Sequence, residues 1–262
     1  MKEISRNVLS FWSEKEKKLE AAHLLDLCDM VLRHKERLVT PFLGPAMANW
    51  FSLVLRGTGL CYLSWGGFED AERVRFVLDG CGNQPGTGDA EIALIKAVPN
   101  KKDVILGHRD ILGSLLGLGL EREVLGDIRQ GEQGVVIAST LQMGSYIIQN
   151  WTGVGRENIQ ASHAGSSKVL PVAGLEKRIV TSSSRLDALT AAGFGVSRSE
   201  VQEFIRQGKV KKNDLECLKQ ETELKTGDTI SCRGKGKIKI IEEDSKTKKG
   251  KYAWRIFIYK DR

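Results

Sequence analysis

The sequence predicts an α+β protein of three units, because three stretches of the chain differ in charge and in the spacing of their apolar residues. The first stretch has two helical patterns before a short strand. The second alternates strands with helices, and the third is strongly basic. A chain of 262 residues is long enough for two or three domains with hydrophobic cores.

Residues 1–80 are predicted to form an N-terminal α+β unit. Apolar residues at helical spacing among many charges predict an amphipathic helix from Glu14 to Leu38. A second helix is expected to begin at Pro45 and run to Leu55, since proline favours the first turn of a helix. A strand from Leu60 to Ser64 then completes the unit.

Residues 81–165 are predicted to form a central ferredoxin-like (α/β plait) domain. Its elements alternate as β-α-β-β-α-β, which is the order of that sandwich. In chain order, they are predicted at 92–98, 108–118, 124–129, 133–139, 141–151 and 158–163. Many RNA-binding modules share this layout, as do proteins without a nucleic-acid role, so it leaves open whether the domain binds RNA.

A linker is assigned to residues 166–181, and the C-terminal domain to residues 182–262. The positive charge of the chain is confined to its last third. Residues 176–262 hold 21 Lys and Arg against 13 Asp and Glu, a net +8, which leaves −1 for the preceding residues of a chain whose total is +7. A local excess of cations favours a polyanionic partner, because each neutralised phosphate releases condensed counterions.

The C-terminal domain is predicted to open with two short helices. The first begins near Asp187, with Ser183 or Ser184 as its cap. The second begins with the capping box Ser197 to Glu200 and ends at Gly208. On this second helix, one face presents donors and the opposite face enters a core. The donors are Arg198, Gln202 and Arg206, and the core residues are Val201, Phe204 and Ile205.

Basic strands follow these helices. Lys209 to Asp214 runs into a turn, and a later strand leads into R-G-K-G-K, in which Arg233, Lys235 and Lys237 alternate with glycines. The glycines allow the backbone to approach phosphates that the cations attract. These clusters border one pair of helices, and together they predict a small RNA-binding constellation.

The residues R-L-D-A-L-T-A-A-G-F-G-V-S-R-S-E-V-Q-E-F-I-R-Q-G-K-V-K-K-N-D, with G-D-T-I-S-C-R-G-K-G downstream, resemble the S-four-type RNA-binding domain, named after small-subunit ribosomal protein four. The resemblance implies that the two helices and the following strand grip structured RNA. It implies the following contacts: Arg185, Ser197, Arg198, Gln202, Arg206, Lys209, Lys211 and Lys212. One departure is Asp214, where the family usually has glycine, which places the hairpin tip in doubt.

The block L-G-H-R-D-I-L-G-S-L-L-G-L-G-L-E-R-E-V-L-G-D-I, with G-G-F-E-D-A-E-R and P-F-L-G-P before it, resembles the YlmH family. Its cyanobacterial and plastid members are described as photosystem II S-four-domain proteins. The resemblance implies a central RNA-binding domain before the S-four-type domain. It also implies association with a large ribosomal subunit that still holds peptidyl-tRNA, as in ribosome-associated quality control.

An RNA-modifying enzyme, a pseudouridine synthase or a methyltransferase, is the main alternative. Those enzymes usually place the S-four-type domain before a large catalytic domain, whereas here it comes last. Gly117 and Gly119 do not fit the nucleotide-binding pattern G-x-G-x-x-G, since residue 122 is arginine. The adjacent His108, Arg109 and Asp110 point in different directions on a helix, so no catalytic residue is proposed, and Arg109 is retained as a secondary RNA contact.

No cofactor or metal is expected, because the four histidines are scattered and no two cysteines form a Cys-x-x-Cys pair. The five cysteines are interpreted as buried, reduced thiols. No apolar run approaches the ~18 residues of a membrane span, and no signal core opens the chain. A cytoplasmic location is therefore expected. Association with the ribosome is what the family resemblance implies, and a monomer is expected.

The expected function is non-catalytic binding of structured rRNA or tRNA on the large ribosomal subunit. In addition to the RNA-modifying enzyme, the sequence leaves two further roles open. One is a scaffold linked to photosystem II or to cell division. The other is a basic surface that meets anionic lipid or an acidic protein, which the run from Lys246 to Lys251 alone would allow.

Overall fold

The computed structural model describes residues 4–101, 104–165, 174–244 and 251–259. The chain divides into two compact units, Met1–Leu170 and Pro171–Arg262. Within the described residues, no helix has both the length and the apolar character needed to cross a bilayer.

Two helices and a three-stranded sheet form the N-terminal part of the first unit. The elements are α1 (Lys15–His34), β1 (Arg37–Val39), α2 (Pro45–Leu55), β2 (Cys61–Trp65) and β3 (Arg75–Asp79), with sheet order β1-β3-β2. Helix α1 is shorter than predicted, because Lys35 adopts a left-handed conformation with φ of 53° and its amide bonds back to Val31. Helix α2 begins at Pro45, as predicted.

A five-stranded antiparallel sheet forms the rest of the first unit. Its elements are β4 (Ile92–Pro99), α3 (His108–Gly117), β5 (Leu125–Gln130), β6 (Val135–Thr140), α4 (Leu141–Asn150), β7 (Gly153–Val154) and β8 (Glu157–His163). The sheet order is β5-β6-β4-β8-β7. Without the short β7, this is the strand order of the predicted ferredoxin-like sandwich. Residues of α3 and α4 share one apolar core with the sheet.

Half-buried polar contacts join the two parts of the first unit. The guanidinium of Arg73 donates to the backbone oxygens of Phe42, Leu125 and Arg122, at 2.8, 2.9 and 3.0 Å. The Asp127 carboxylate accepts from the backbone N–H of Arg73 at 3.0 Å. Burial, with the charge of Arg122, lowers the pKa of Arg73 to about 10. The segment G-G-F-E-D-A-E-R therefore has a structural role, because its Arg73 connects the three-stranded sheet to the five-stranded sheet.

The second unit is a six-stranded sheet with two helices. Its elements are β9 (Gly174–Thr181), α5 (Leu186–Phe194), α6 (Arg198–Arg206), β10 (Val210–Lys212), β11 (Leu215–Glu216), β12 (Thr229–Cys232), β13 (Gly236–Asp244) and β14 (Tyr252–Tyr259). The sheet order is β11-β10-β12-β13-β14-β9. Both helices pack on one face of this sheet, and the core between them includes the fully buried Trp254.

Strand β9 corrects the assignment of residues 166–181 to a linker. Gly174–Thr181 pairs with β14 along its whole length, from Gly174 opposite Tyr259 to Thr181 opposite Tyr252. Ile179 enters the core, and the Trp254 indole donates to the Thr181 hydroxyl at 2.9 Å. These anchors make the segment part of the sheet. The remaining residues 166–173 lie outside the described part of the chain, as does the run 246–250.

Helix α5 approaches the sheet closely at Gly193. A Cβ atom at this position would lie 2.4 Å from Cδ1 of Ile238 on β13, which is far inside van der Waals contact. Most of the helix is buried, and Gly195 ends it in the left-handed conformation with φ of 68°. The small residue at 193 therefore sets the distance between helix and sheet.

The cysteines differ in burial more than the sequence suggested. All five are free thiols; Cys28 and Cys232 are buried and Cys61 and Cys217 half-buried. Cys81 is exposed, in the loop after β3. The interpretation of every cysteine as buried is therefore wrong at Cys81.

Candidate nucleic-acid interface

The start of α6 is fixed by the capping serine that the sequence indicated. Ser197 Oγ accepts from the backbone N–H of Glu200 at 3.1 Å. This hydrogen bond satisfies one of the free donors in the first turn. Val201 and Ile205 are buried, and Arg198 and Arg206 are exposed on the other side of the helix. The hydroxyl of Ser197 is thus engaged within the protein.

The start of α5 differs from the prediction, because neither Ser183 nor Ser184 caps it. The N-cap residue is Arg185, whose side chain makes no capping hydrogen bond. Instead, the backbone amides of Leu186 and Asp187 donate to the backbone oxygens of Thr222 and Gln220, at 2.8 and 3.2 Å. The loop before β12 therefore supplies the acceptors that a serine cap would otherwise provide.

Asp187 lies at the centre of the predicted contacts. Its side chain is fully buried, and Oδ2 accepts from Arg198 Nη2 at 2.6 Å and from Gln202 Nε2 at 3.4 Å. Arg185 Nε lies 3.4 Å from the other oxygen, Oδ1. Burial opposes ionisation of this carboxylate. The hydrogen bonds from Arg198 and Gln202 and the charges of both arginines outweigh burial, so that the pKa of Asp187 is lowered.

The consequence is an ordered set of donors at the surface. Arg185 and Arg198 keep 37% and 47% of their side chains exposed. Arg198 donates a hydrogen bond to Asp187, whereas Arg185 forms a looser ion pair with it. An arginine has five N–H donors, so those not aimed at Asp187 can bind an outside acceptor. Arg206, 75% exposed, pairs with Glu203 one turn away on the same helix.

A second group of cations surrounds Phe204. The Nζ atoms of Lys209 and Lys235 each lie 5.7 Å from the centroid of its ring. Lys235 also pairs with Glu200 at 3.1 Å. Phe204 packs against the core, on the face to which the sequence assigned it, and it is only partly buried there. The Phe204 ring therefore contacts the ammonium groups of both Lys209 and Lys235.

The hairpin after α6 forms although Asp214 stands where the family usually has glycine. Asn213 and Asp214 adopt left-handed conformations, with φ of 50° and 64°, between the paired residues Lys212 and Leu215. Two such residues in succession make the two-residue turn that suits a twisted hairpin. Lys212 Nζ binds Asp228 at 2.9 Å and the Glu223 backbone oxygen at 2.8 Å. Lys212 therefore stabilises the hairpin from within the protein.

The predicted contacts do not all lie on one surface. Val210 faces the core, and side chains alternate along a strand, so Lys211 projects from the face opposite the helices. Lys237 lies on that opposite face for the same reason, next to the buried Ile238. Arg233 is exposed in the turn between β12 and β13. The predicted cations thus lie on two faces of the sheet, and their contact with RNA stays a prediction.

Arg109 belongs to the first unit, at the start of α3. It lines an open cavity of about 560 Å³ together with Asp110, Ser114, Trp151 and Thr152. It forms no ion pair with the described residues of the chain. Its role as a secondary RNA contact remains a prediction.

Sequence reasoning missed the two residues that organise these cations. The sequence indicates Asp187 only as a helix-start residue and Phe204 only as a core residue. A signal for Asp187 was present, because it is the one carboxylate within the otherwise apolar helix L-D-A-L-T-A-A-G-F. A buried carboxylate needs partners, and arginines are the commonest. Among the described residues, no cluster of His, Cys, Asp and Glu could hold a metal ion.

Three family models match the chain in succession. They are "YlmH, N-terminal" over residues 16–79, "Putative RNA-binding domain in YlmH" over residues 85–168, and "S4 domain" over residues 184–230. The chain is also 30% identical over 220 residues to "Ribosome-associated protein quality control protein P2" of Bacillus subtilis (strain 168). That alignment covers 83% of this chain and 85% of the relative. The chain belongs to the YlmH family.

A solved YlmH structure shares the fold. The chain is similar to "Cell division protein ylmH from Streptococcus pneumoniae", with a TM-score of 0.50 and 26% identity. The match covers 58% of this chain and 93% of that one. In the present chain, the S4 domain match includes α5, α6 and the hairpin after them, where the donors around Asp187 lie. The resemblance seen in the sequence is therefore confirmed, and the chain is an RNA-binding protein of this family.

Proposed function

We propose that this YlmH protein binds structured rRNA or tRNA through the donors around Asp187 and catalyses no reaction on that RNA. The observation that carries the proposal is the buried carboxylate that holds Arg185, Arg198 and Gln202 in one place. Donors fixed in advance lose less conformational entropy when they bind phosphates than free side chains do. A rigid array of this kind suits RNA whose phosphates are themselves fixed by folding.

The state of Asp187 supports binding over catalysis. The Asp187 side chain is fully buried and engaged with its arginines, so it cannot reach a substrate as a nucleophile. Its lowered pKa keeps it ionised, so it is also a poor proton donor. The side chains around it are arginine and glutamine, which are donors to phosphate. These features favour a binding surface over the RNA-modifying enzyme considered from the sequence.

The partner that we propose is the large ribosomal subunit carrying peptidyl-tRNA, in the cytoplasm. The support is the name of the Bacillus subtilis relative, a ribosome-associated quality control protein. The basic C-terminal third adds long-range attraction to ribosomal RNA. On this proposal, the protein acts in translation rescue.

Sedimentation of the full chain with purified large subunits tests the proposal. Arg198→Ala and Arg206→Ala should each weaken binding, and the dependence of log K on log salt should become shallower by about one for each phosphate that is no longer neutralised. Arg56→Ala, an exposed arginine at the end of α2, is the matched control and should bind as the parent does. Parent-like binding by both interface variants would show that the donors lie elsewhere.

A second measurement separates binding from modification. After incubation with ribosomal RNA or tRNA, nucleosides are analysed by mass spectrometry, with and without S-adenosylmethionine. The proposal expects an unchanged nucleoside composition beside a discrete protein footprint on large-subunit RNA or tRNA. New pseudouridine or methylated nucleosides would establish the enzyme instead.

A further inference from the structure

The second unit has a sheet face that its helices do not cover. We call it the outer sheet face; it consists of Lys211, Thr229, Ser231, Lys237, Lys239, Phe257 and Tyr259. The residues that flank them along the strands, among them Ile230, Ile238 and Ile256, belong to the core under α5 and α6. Because side chains alternate along a strand, the residues of the outer sheet face project to the opposite side.

Strand pairing arranges this face in two rows. In one row, Lys211 lies opposite Ser231, and Ser231 opposite Lys237. The ammonium of Lys237 lies 5.4 Å from the ring centroid of Tyr259 on the next strand. In the neighbouring row, Lys239 lies between Thr229 and Phe257. The first row crosses four strands, so the face is about 14 Å wide at a strand spacing of about 4.8 Å.

Positive charge is concentrated at this end of the sheet. Lys211 and Lys239 are exposed, and neither forms an ion pair with a described residue of the chain. Further along the same face, the arginines are neutralised: Arg178 pairs with Asp244, and Arg255 pairs with Glu242. Two acidic residues end these rows: Glu176, opposite Phe257, extends the second row, and Glu216, opposite Lys211, extends the first. The three lysines lie between them and leave the face with a net positive charge.

Two aromatic rings lie among these lysines. Phe257 and Tyr259 are both partly exposed, and their rings meet edge to face with centroids 5.1 Å apart. The Phe257 ring also rests on the backbone of Gly174, where a Cβ atom would lie 2.2 Å from it. These contacts hold the rings in fixed orientations. Fixed rings beside cations are the combination that binds unpaired RNA, because bases stack on the rings while phosphates are drawn to the cations.

We propose that the outer sheet face binds an unpaired segment of the RNA whose folded part contacts α5 and α6. Bases stack on Phe257 and Tyr259, and the phosphates between them lie near Lys211, Lys237 and Lys239. The inference rests on the proposed function and adds a second surface to it. Strands β13 and β14, which carry four of the seven residues of this face, lie outside residues 184–230 that match the S4 domain.

Titration of two labelled RNAs with the full chain tests this inference. One is a blunt hairpin, and the other is the same hairpin with an unpaired oligouridine extension. The parent should bind the extended hairpin more tightly, and we call the ratio of its affinities for the extended and the blunt hairpin the gain. Phe257→Leu, which keeps an apolar side chain but removes the flat ring, should reduce that gain by about tenfold, the order expected for one stacked base. Binding of the blunt hairpin should not change.

Lys239→Ala provides a variant that cannot disturb packing, because Lys239 is exposed. It should reduce the gain and make its salt dependence shallower. Its matched control is Lys177→Ala, an exposed strand lysine opposite Ile256 and so on the other side of the sheet, which should behave as the parent does. If the parent binds both RNAs equally, or if both outer-face variants keep the full gain, the inference is overturned. If the parent binds neither RNA, the proposed function itself fails.

Discussion

Arg198 and Asp187 form a hydrogen-bonded ion pair in which the carboxylate is fully buried while about half of the arginine side chain is exposed. The pair joins the first turn of α5 to the first residue of α6. It therefore fixes the starts of the two helices relative to each other, and it ties the folding of the motif to the position of its donors.

The pKa of Asp187 should depend on Arg198. Arg198→Ala removes the strongest contribution that favours the charged form, and burial then raises the pKa of this carboxyl. In the parent, the folded pKa lies below the unfolded value, so this stabilisation is present at neutral pH and is lost as the pH falls through the folded pKa. Carbon-13 NMR titration of the side-chain carboxyl measures the shift. Arg206→Ala is the control, and an unchanged pKa in Arg198→Ala would contradict the pairing.

Phe204→Ala should destabilise the second unit by about 2 kcal/mol, less than the ~3–5 kcal/mol of a fully buried aromatic, because the ring is only partly buried. Urea unfolding of the full chain measures the change. Phe204→Leu should recover most of the stability but not the cation–ring contacts of Lys209 and Lys235. Equal loss in both variants would mean that the flat ring, and not burial, supplies the stability.

Gly193→Ala should destabilise the second unit by about 1–3 kcal/mol, although alanine is the better helix former, because the new methyl group overlaps Ile238 Cδ1. Ile238→Val removes that atom and should restore much of the loss when combined with Gly193→Ala. The double-mutant cycle, measured by thermal unfolding, is expected to show a favourable coupling. Additive effects would rule out the proposed steric conflict.

Arg73→Met should destabilise the first unit by about 3 kcal/mol. The substitution keeps an apolar stem but leaves the backbone oxygens of Phe42 and Arg122 without their half-buried donor. The Leu125 oxygen also loses Arg73 but keeps a hydrogen bond from Arg122 Nη1 at 3.0 Å. Arg56→Met, at an exposed position, should cost little. Chemical unfolding measures both variants, and a similar small effect in both would show that the buried contacts contribute little.

The five thiols should differ in reactivity. Cys81 is exposed and should react first with iodoacetamide, whereas burial raises the pKa of Cys28 to about 12 and keeps its thiol protonated at neutral pH. Mass spectrometry of the native protein after brief labelling identifies the modified site. Cys81→Ser should remove the fast phase, and early modification of Cys28 would indicate that α1 opens readily.

Patterns with strong local causes could be predicted from the sequence. The central order of strands and helices follows from apolar periodicity, the start of α2 from Pro45, and the start of α6 from Ser197. Each of these signals acts within a few residues, so it survives without knowledge of the tertiary structure.

Contacts between distant residues could not be predicted in the same way. The strand character of Gly174–Thr181 depends on its pairing with β14, some 70 residues later, so the segment resembled a linker. The division of the cations between two faces depends on register, since Lys211 and Lys212 are neighbours in sequence but project to opposite sides. The role of Asp187 could not be predicted from the sequence, because it depends on the position of α6, which carries its partners Arg198 and Gln202.

The pairing of β9 with β14 decides where the second unit can be cut for study. An expression fragment that begins at residue 182 would lack β9 and leave the backbone of Tyr252–Tyr259 as a long, apolar, unprotected edge. Such edges recruit strands from other molecules, so the fragment would tend to aggregate. A fragment that retains Gly174 keeps this edge covered and is the better starting point for dissecting the protein.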